Sequence, residues 1–148
     1  MVDSTPFLRL WVTLARAFRA VVAAAEADAA RHGLTLAEFG TLEALFHRGP
    51  LRLGELQEKV LVTSGGMTWV INRLVARELV RRRISPDDRR ARYAELTPAG
   101  ERLMREIFPA HAEAIHHTTS GLTAAEARQA AILLRKLGLA AEAGQEAA

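Results

Sequence analysis

The sequence predicts a mainly α-helical protein carrying one small β-hairpin. Two observations predict it. Apolar residues recur at helical spacing through most of the 148 residues, in segments that open on capping signals and close on glycine or proline. Two short strand-like runs, 79–84 and 92–96, flank Pro86-Asp87-Asp88, which is turn chemistry. At 49% hydrophobic and 25% charged residues, the composition suits a chain able to bury a core.

The elements follow in order. Thr5-Pro6 is an N-cap with proline at the first helical position. Phe7, Leu10, Trp11, Leu14, Phe18, Val21, Val22 and Ala25 then mark a helix that runs to about His32, where Gly33 can supply a left-handed stop. Thr35-Leu36-Ala37-Glu38 is a capping box for a second helix, with Phe39, Leu42, Leu45 and Phe46 inward and Arg48-Gly49-Pro50 ending it. A short third helix spans 53–60, with Leu53, Leu56 and Val60 inward. The segment LVTSGG breaks the pattern as a tight turn containing Gly65-Gly66, and Thr63 or Ser64 caps a fourth helix over 64–78. Its apolar stripe is Met67, Val70, Ile71 and Leu74, so Trp69 points away from the core. After the hairpin, Thr97-Pro98 opens a long helix in which Pro109 suggests a kink. Thr123 to Glu126 is a second capping box, and the last helix gives way to a frayed tail, AAEAGQEAA.

Charge is concentrated. Between Arg73 and Arg92 eight arginines stand against three acids, while the remainder holds twelve basic and fourteen acidic residues. The basic excess therefore sits in one stretch, as an electrostatic footprint for phosphate would. No cysteine is present, which excludes disulfides and thiolate chemistry. No nucleophile–base set or phosphate-binding glycine loop is evident, so no enzyme and no cofactor is expected. No run approaches a membrane span and no signal peptide is indicated, so a cytoplasmic protein with no membrane association is expected.

Helix, helix, tight turn, helix and hairpin is the order of a winged helix-turn-helix. In such a unit one helix enters the major groove of duplex DNA with its N-terminal residues at the base edges. Thr63, Ser64, Gly65, Gly66 and Thr68 occupy that end, with Trp69, Asn72 and Arg73 further along. Asn72 is either an adenine reader or a surface amide. Arg73 is either a phosphate ligand or a salt-bridge partner. Arg82, Arg89, Arg90 and Arg92 are the wing's contacts, since arginine suits narrow, strongly negative minor grooves. Arg81 to Arg83 alternate along a strand, so at least one faces away from DNA. Asp88 is expected to pair with an arginine and fix the wing.

The segments TSGGMTWVINRLVARELVRR, SPDDRRARYAEL and LTPAG together resemble the MarR family of bacterial transcriptional regulators. The resemblance covers nearly the whole chain. It implies a homodimer held by N-terminal (1–34) and C-terminal (98–148) helices around a DNA-binding lobe at 35–97. It also implies a palindromic operator, usually repressed until a small anionic or phenolic effector binds. The effector cleft of the family makes Trp11, Arg16 and His111 candidate lining residues. Three residues depart from the pattern: Ser85 for a wing Asp, Glu78 for the glycine that ends the recognition helix, and Trp69 for a polar or basic DNA-facing residue. Trp69 either packs on thymine methyls or sugars or covers a neighbouring element in the free protein. Two rival readings are a dimeric protein-interaction module with a degenerate recognition helix, and a zinc-responsive regulator using His47, His111, His116 or His117. Spacing disfavours the second, because 111 and 116 do not share a helix face, and no metal ligand is assigned.

Overall fold

The computed structural model describes residues 5–60 and 64–147. Six helices and a three-stranded sheet follow in chain order: α1 (Thr5–Arg31), α2 (Leu36–Arg48), β1 (Leu51–Arg52), α3 (Leu53–Val60), α4 (Ser64–Ala76), β2 (Val80–Ile84), β3 (Arg92–Leu96), α5 (Pro98–Thr118) and α6 (Ala124–Glu146). The sheet order is β1-β3-β2, antiparallel throughout, with Arg81 opposite Glu95 and Leu51 opposite Ala94. The hairpin and helix order match expectation. Strand β1 was not foreseen, because two residues are too few to show an alternating pattern.

The caps explain why the helices stop where they do. Thr35–Glu38 and Thr123–Glu126 form complete capping boxes, and Thr97 caps α5 by accepting from the Gly100 N–H. At the end of α1, Leu34 N–H reaches Ala29 O and Gly33 N–H reaches Ala30 O, with Gly33 at φ 71°. This pair of bonds satisfies carbonyls the helix leaves open. The same pair closes α4: Leu79 N–H to Leu74 O and Glu78 N–H to Val75 O. Here the left-handed residue is Glu78, at φ 59°. Its Cβ makes that conformation cost roughly 1 kcal/mol or more. Glu78→Gly should therefore stabilise the protein by about 0.5–1 kcal/mol after the extra unfolded-state entropy of glycine is counted. A higher urea midpoint with an unchanged slope would confirm it, and a lower midpoint would refute it.

One core joins the elements between the end of α1 and the middle of α5. Phe39, Leu42, Leu56, Met67, Ile71, Leu74, Ala94 and Met104 are fully buried in it. The four apolar positions expected on α4 are all among the buried residues. The two ends of the chain differ. Phe7, Leu8, Trp11 and Phe18 of α1 are exposed, and α6 buries no residue although Ile132, Leu133, Leu134 and Leu139 lie along it.

Two expectations are corrected. Gly65 and Gly66 lie in the first turn of α4, which begins at Ser64, and not in a turn before it. The segment expected to fray instead continues α6 to Glu146. Its alanines, glutamates and glutamine are strong helix formers, which outweighs the single Gly144. Helix α5 runs unbroken through Pro109. No helix among the described residues is long and apolar enough to cross a membrane.

Candidate nucleic-acid interface

Burial of Met67, Val70, Ile71 and Leu74 fixes the roll of α4. Helical spacing then places Gly65, Trp69, Asn72 and Ala76 along the opposite, outward stripe. Thr68 and Arg73 flank it and are exposed. A methyl built on Gly65 meets nothing within 4 Å, so packing within the chain does not require glycine there. Thr63 lies outside the described residues.

The structure sorts the eight arginines by partner. Arg73 donates to the buried Glu38 carboxylate at 2.8 Å and lies over the Trp69 ring, 4.8 Å from its centroid. It is thus a salt-bridge partner, the alternative to a phosphate ligand. Arg77 donates to Gly33 O at 3.0 Å and approaches Glu38 at 3.9 Å. Arg81 and Arg83 share one face of β2 and both bond Glu95, at 2.7 and 3.5 Å. Arg82 points the other way and donates to the Asn72 side-chain oxygen. The alternation expected along 81–83 is therefore realised, and β2 is tied to the outward face of α4. Arg92 donates to the Arg89 carbonyl. Arg89 and Arg90 are exposed, and neither side chain has a hydrogen-bond or ion-pair partner among the described residues.

Among the described residues Asp88 forms no hydrogen bond or close ion pair with an arginine side chain. Its carboxylate accepts from the Arg90 backbone N–H at 2.9 Å, and its carbonyl accepts from Ala91 N–H at 3.0 Å. Asp and Asn form such local turns readily, which competes with reaching for a guanidinium. Ser85 serves the same tip, accepting from Asp87 N–H at 3.3 Å. At the sheet's other edge Arg52 Nε donates to the Tyr93 hydroxyl at 3.1 Å.

Glu38 was legible only as a cap, yet it organises this surface. Burial pushes its carboxyl up, but the Thr35 N–H and the Arg73 guanidinium outweigh that and hold it below the usual value. It joins the start of α2 to the last turn of α4.

Trp11, Arg16 and His111 do not converge. Trp11 and Arg16 lie with Val12, Ala15 and Arg19 on one exposed face of α1. His111 is buried near the other end of α1, stacked 4.0 Å from Phe39 and bonded through Nδ1 to Asp28 at 2.6 Å. Asp28 also accepts from Arg31 at 2.5 Å. Burial pushes the Asp28 carboxyl up, and the bonds from Arg31 and His111 more than reverse it. Because folding lowers this value, the stabilisation is complete above the ordinary 3.8 and is lost as pH falls through the folded value. Asp28→Asn should cost about 2 kcal/mol near neutrality, with the gap to the parent closing below pH 4 in urea melts. A gap that stayed constant into acid would refute this account. His116 and His117 are exposed, His32 Nε2 is buried without a hydrogen-bond partner, and no group of three metal-ligating side chains occurs among the described residues.

The description "MarR family" matches residues 34–91, which spans α2 to the wing tip. The chain is 36% identical over 135 residues to the HTH-type transcriptional regulator MhqR of Bacillus subtilis (strain 168), covering 91% of this chain and 93% of that protein. This chain belongs to the MarR family. It is also 31% identical over 138 residues to the transcriptional repressor NicR of Pseudomonas putida, covering 91% and 87% of the two chains. Among solved structures, BpsR of Bordetella bronchiseptica superposes with a TM-score of 0.78 at 32% identity, covering 88% of this chain and 98% of that one. BpsR is described there with its DNA binding regulated by 6-hydroxynicotinic acid. The MarR chain is accordingly a DNA-binding transcriptional regulator with a mainly helical winged helix-turn-helix fold.

Proposed function

We propose that this protein is a repressor that grips a two-fold symmetric operator as a homodimer and releases it when a small aromatic acid binds. The observation that carries the DNA contact is the pairing of the outward face of α4 with a wing whose tip arginines are uncompensated. α4 reads the major groove while Arg89, Arg90 and Arg92 hold the flanking backbone or minor groove. The lobe is 35–97. The exposed apolar residues of α1 and α6 are the dimer surface, since so many unburied Leu, Ile, Phe and Trp side chains mark an association face. A dimer places the two α4 helices on half-sites about 10 bp apart. An aromatic carboxylate suits the Trp11 face, where Arg16 and Arg19 supply cations; NicR is a precedent for repression, and BpsR for DNA binding regulated by 6-hydroxynicotinic acid. Nothing in this scheme requires a catalytic step.

The test is binding to duplex DNA from upstream of the protein's own coding region across a salt series. A sequence-specific complex whose log K falls steeply with log salt, about 0.9 per phosphate neutralised, is the expected result. Absence of a specific complex even at low salt, with a protein partner recovered instead, overturns the reading in favour of an interaction module.

A further inference from the structure

Trp69 stands at the centre of the outward stripe of α4 with 52% of its surface exposed. Desolvating that much indole on binding is favourable, and tryptophan is enriched at interfaces because it joins a large apolar face to a polar N–H. Its orientation is held from within the protein. Glu38 is buried and anchored by the Thr35 N–H; Arg73 is anchored by Glu38; and the Arg73 guanidinium caps the indole. A cation over an indole face is attracted by the negative face of the ring, which biases the rotamer. The neighbours on the stripe are small or occupied. Gly65 leaves open space, Ala76 is short, and the Asn72 oxygen that would accept from an adenine amino group already accepts from Arg82. The stripe therefore presents one apolar plate, with the Asn72 amide N–H groups beside it as donors. In the major groove the apolar feature is the thymine 5-methyl group. The exposed wing-tip Arg89 and Arg90, whose side chains have no hydrogen-bond or ion-pair partner among the described residues, favour a polyanion over a protein as the occupant.

We propose that Trp69 is a specificity-determining residue that packs on a thymine methyl in each half-site, and that Arg73 is a positioning residue for the indole and not a phosphate ligand. This rests on the reading that α4 enters the major groove.

The experiment selects binding sites for the full-length protein from a pool of random-sequence duplex DNA, then replaces each thymine of the selected site by uracil, which deletes only the methyl. One thymine per half-site should lose about three- to fivefold in affinity on replacement. Trp69→Gln, a surface change, should bind the selected site about tenfold more weakly and no longer distinguish thymine from uracil there. Arg73→Gln should blunt the same discrimination while leaving the salt slope unchanged, whereas loss of a phosphate ligand lowers that slope by about one. Uracil tolerance by the parent protein at every position overturns the proposal. So does a Trp69→Gln variant that keeps the parent's site and discrimination, or one that keeps both and loses a bound protein instead. Failure of the parent to select any DNA overturns the DNA reading itself, which separates the two failures.

Discussion

Gly100→Ala is expected to destabilise the protein by about 3 kcal/mol, as overpacking against backbone does at the upper end of its range. A methyl there sits 2.1 Å from the Leu79 carbonyl oxygen and 3.0 Å from its carbon, with Leu96 Cδ2 at 3.3 Å. The clash cannot be relieved by turning a side chain, because the obstacle is backbone that is itself engaged. Leu79 O accepts from Thr97 N–H at 3.1 Å, and Thr97 Oγ1 both donates to Glu78 O at 2.6 Å and accepts from Gly100 N–H. Moving either partner breaks the knot that fixes the end of α4, the root of the hairpin and the start of α5 in one place. DNA affinity should fall with stability, since the knot sets the angle between recognition helix and wing. Gly54→Ala is the matched control: a methyl there meets nothing within 4 Å, and alanine in a helix is favoured by about 0.5–1 kcal/mol. Urea midpoints that fall steeply for Gly100→Ala and hold or rise for Gly54→Ala are the expected pair. Equal midpoints for Gly100→Ala and the parent would mean that α5 does not seat where the structure places it.

That knot also shows what could be read in the sequence. Leu96-Thr97-Pro98-Ala99-Gly100 was legible as a helix start, because cap and proline chemistry is local. The reason for Gly100 was not, because Leu79 is distant in the chain. The same division runs through the interface. The periodicity of 67, 70, 71 and 74 is enough to turn Trp69 outward, and strand alternation is enough to split Arg82 from Arg81 and Arg83. Partnership is invisible to both. Nothing in the order of residues says that Glu38 reaches Arg73, that Glu95 takes two arginines, or that Asp28 holds His111. Counting charge therefore overstated the free cation: most of the eight arginines are spent inside the protein. α1 and α6 were legible as helices, but their exposed apolar faces gain a partner only in the proposed dimer.

Because those partnerships consume Arg73, Arg77, Arg81, Arg82 and Arg83, the wing tip carries the largest expected loss of binding on substitution. The Arg89 and Arg90 side chains are exposed and have no hydrogen-bond or ion-pair partner among the described residues, so their charge is available to a phosphate without breaking any contact in the free protein. The tip around them is organised by backbone: Asp88 accepts from Arg90 N–H and Ala91 N–H, and Ser85 from Asp87 N–H. Truncating both side chains therefore leaves the turn standing, and Arg89→Ala with Arg90→Ala should leave the urea midpoint within about 0.5 kcal/mol of the parent. Binding should respond differently. Each arginine that neutralises a phosphate contributes about one unit to the salt slope, so the double variant should lose about two units. Affinity should drop by a similar factor for every sequence tested, since a phosphate carries no base identity. The same measurement on Arg81→Ala should show a much smaller change in slope, because its guanidinium is already matched by Glu95. If the double variant keeps the parent's slope, the wing does not touch DNA, and the charge excess of this chain serves its internal ion pairs alone.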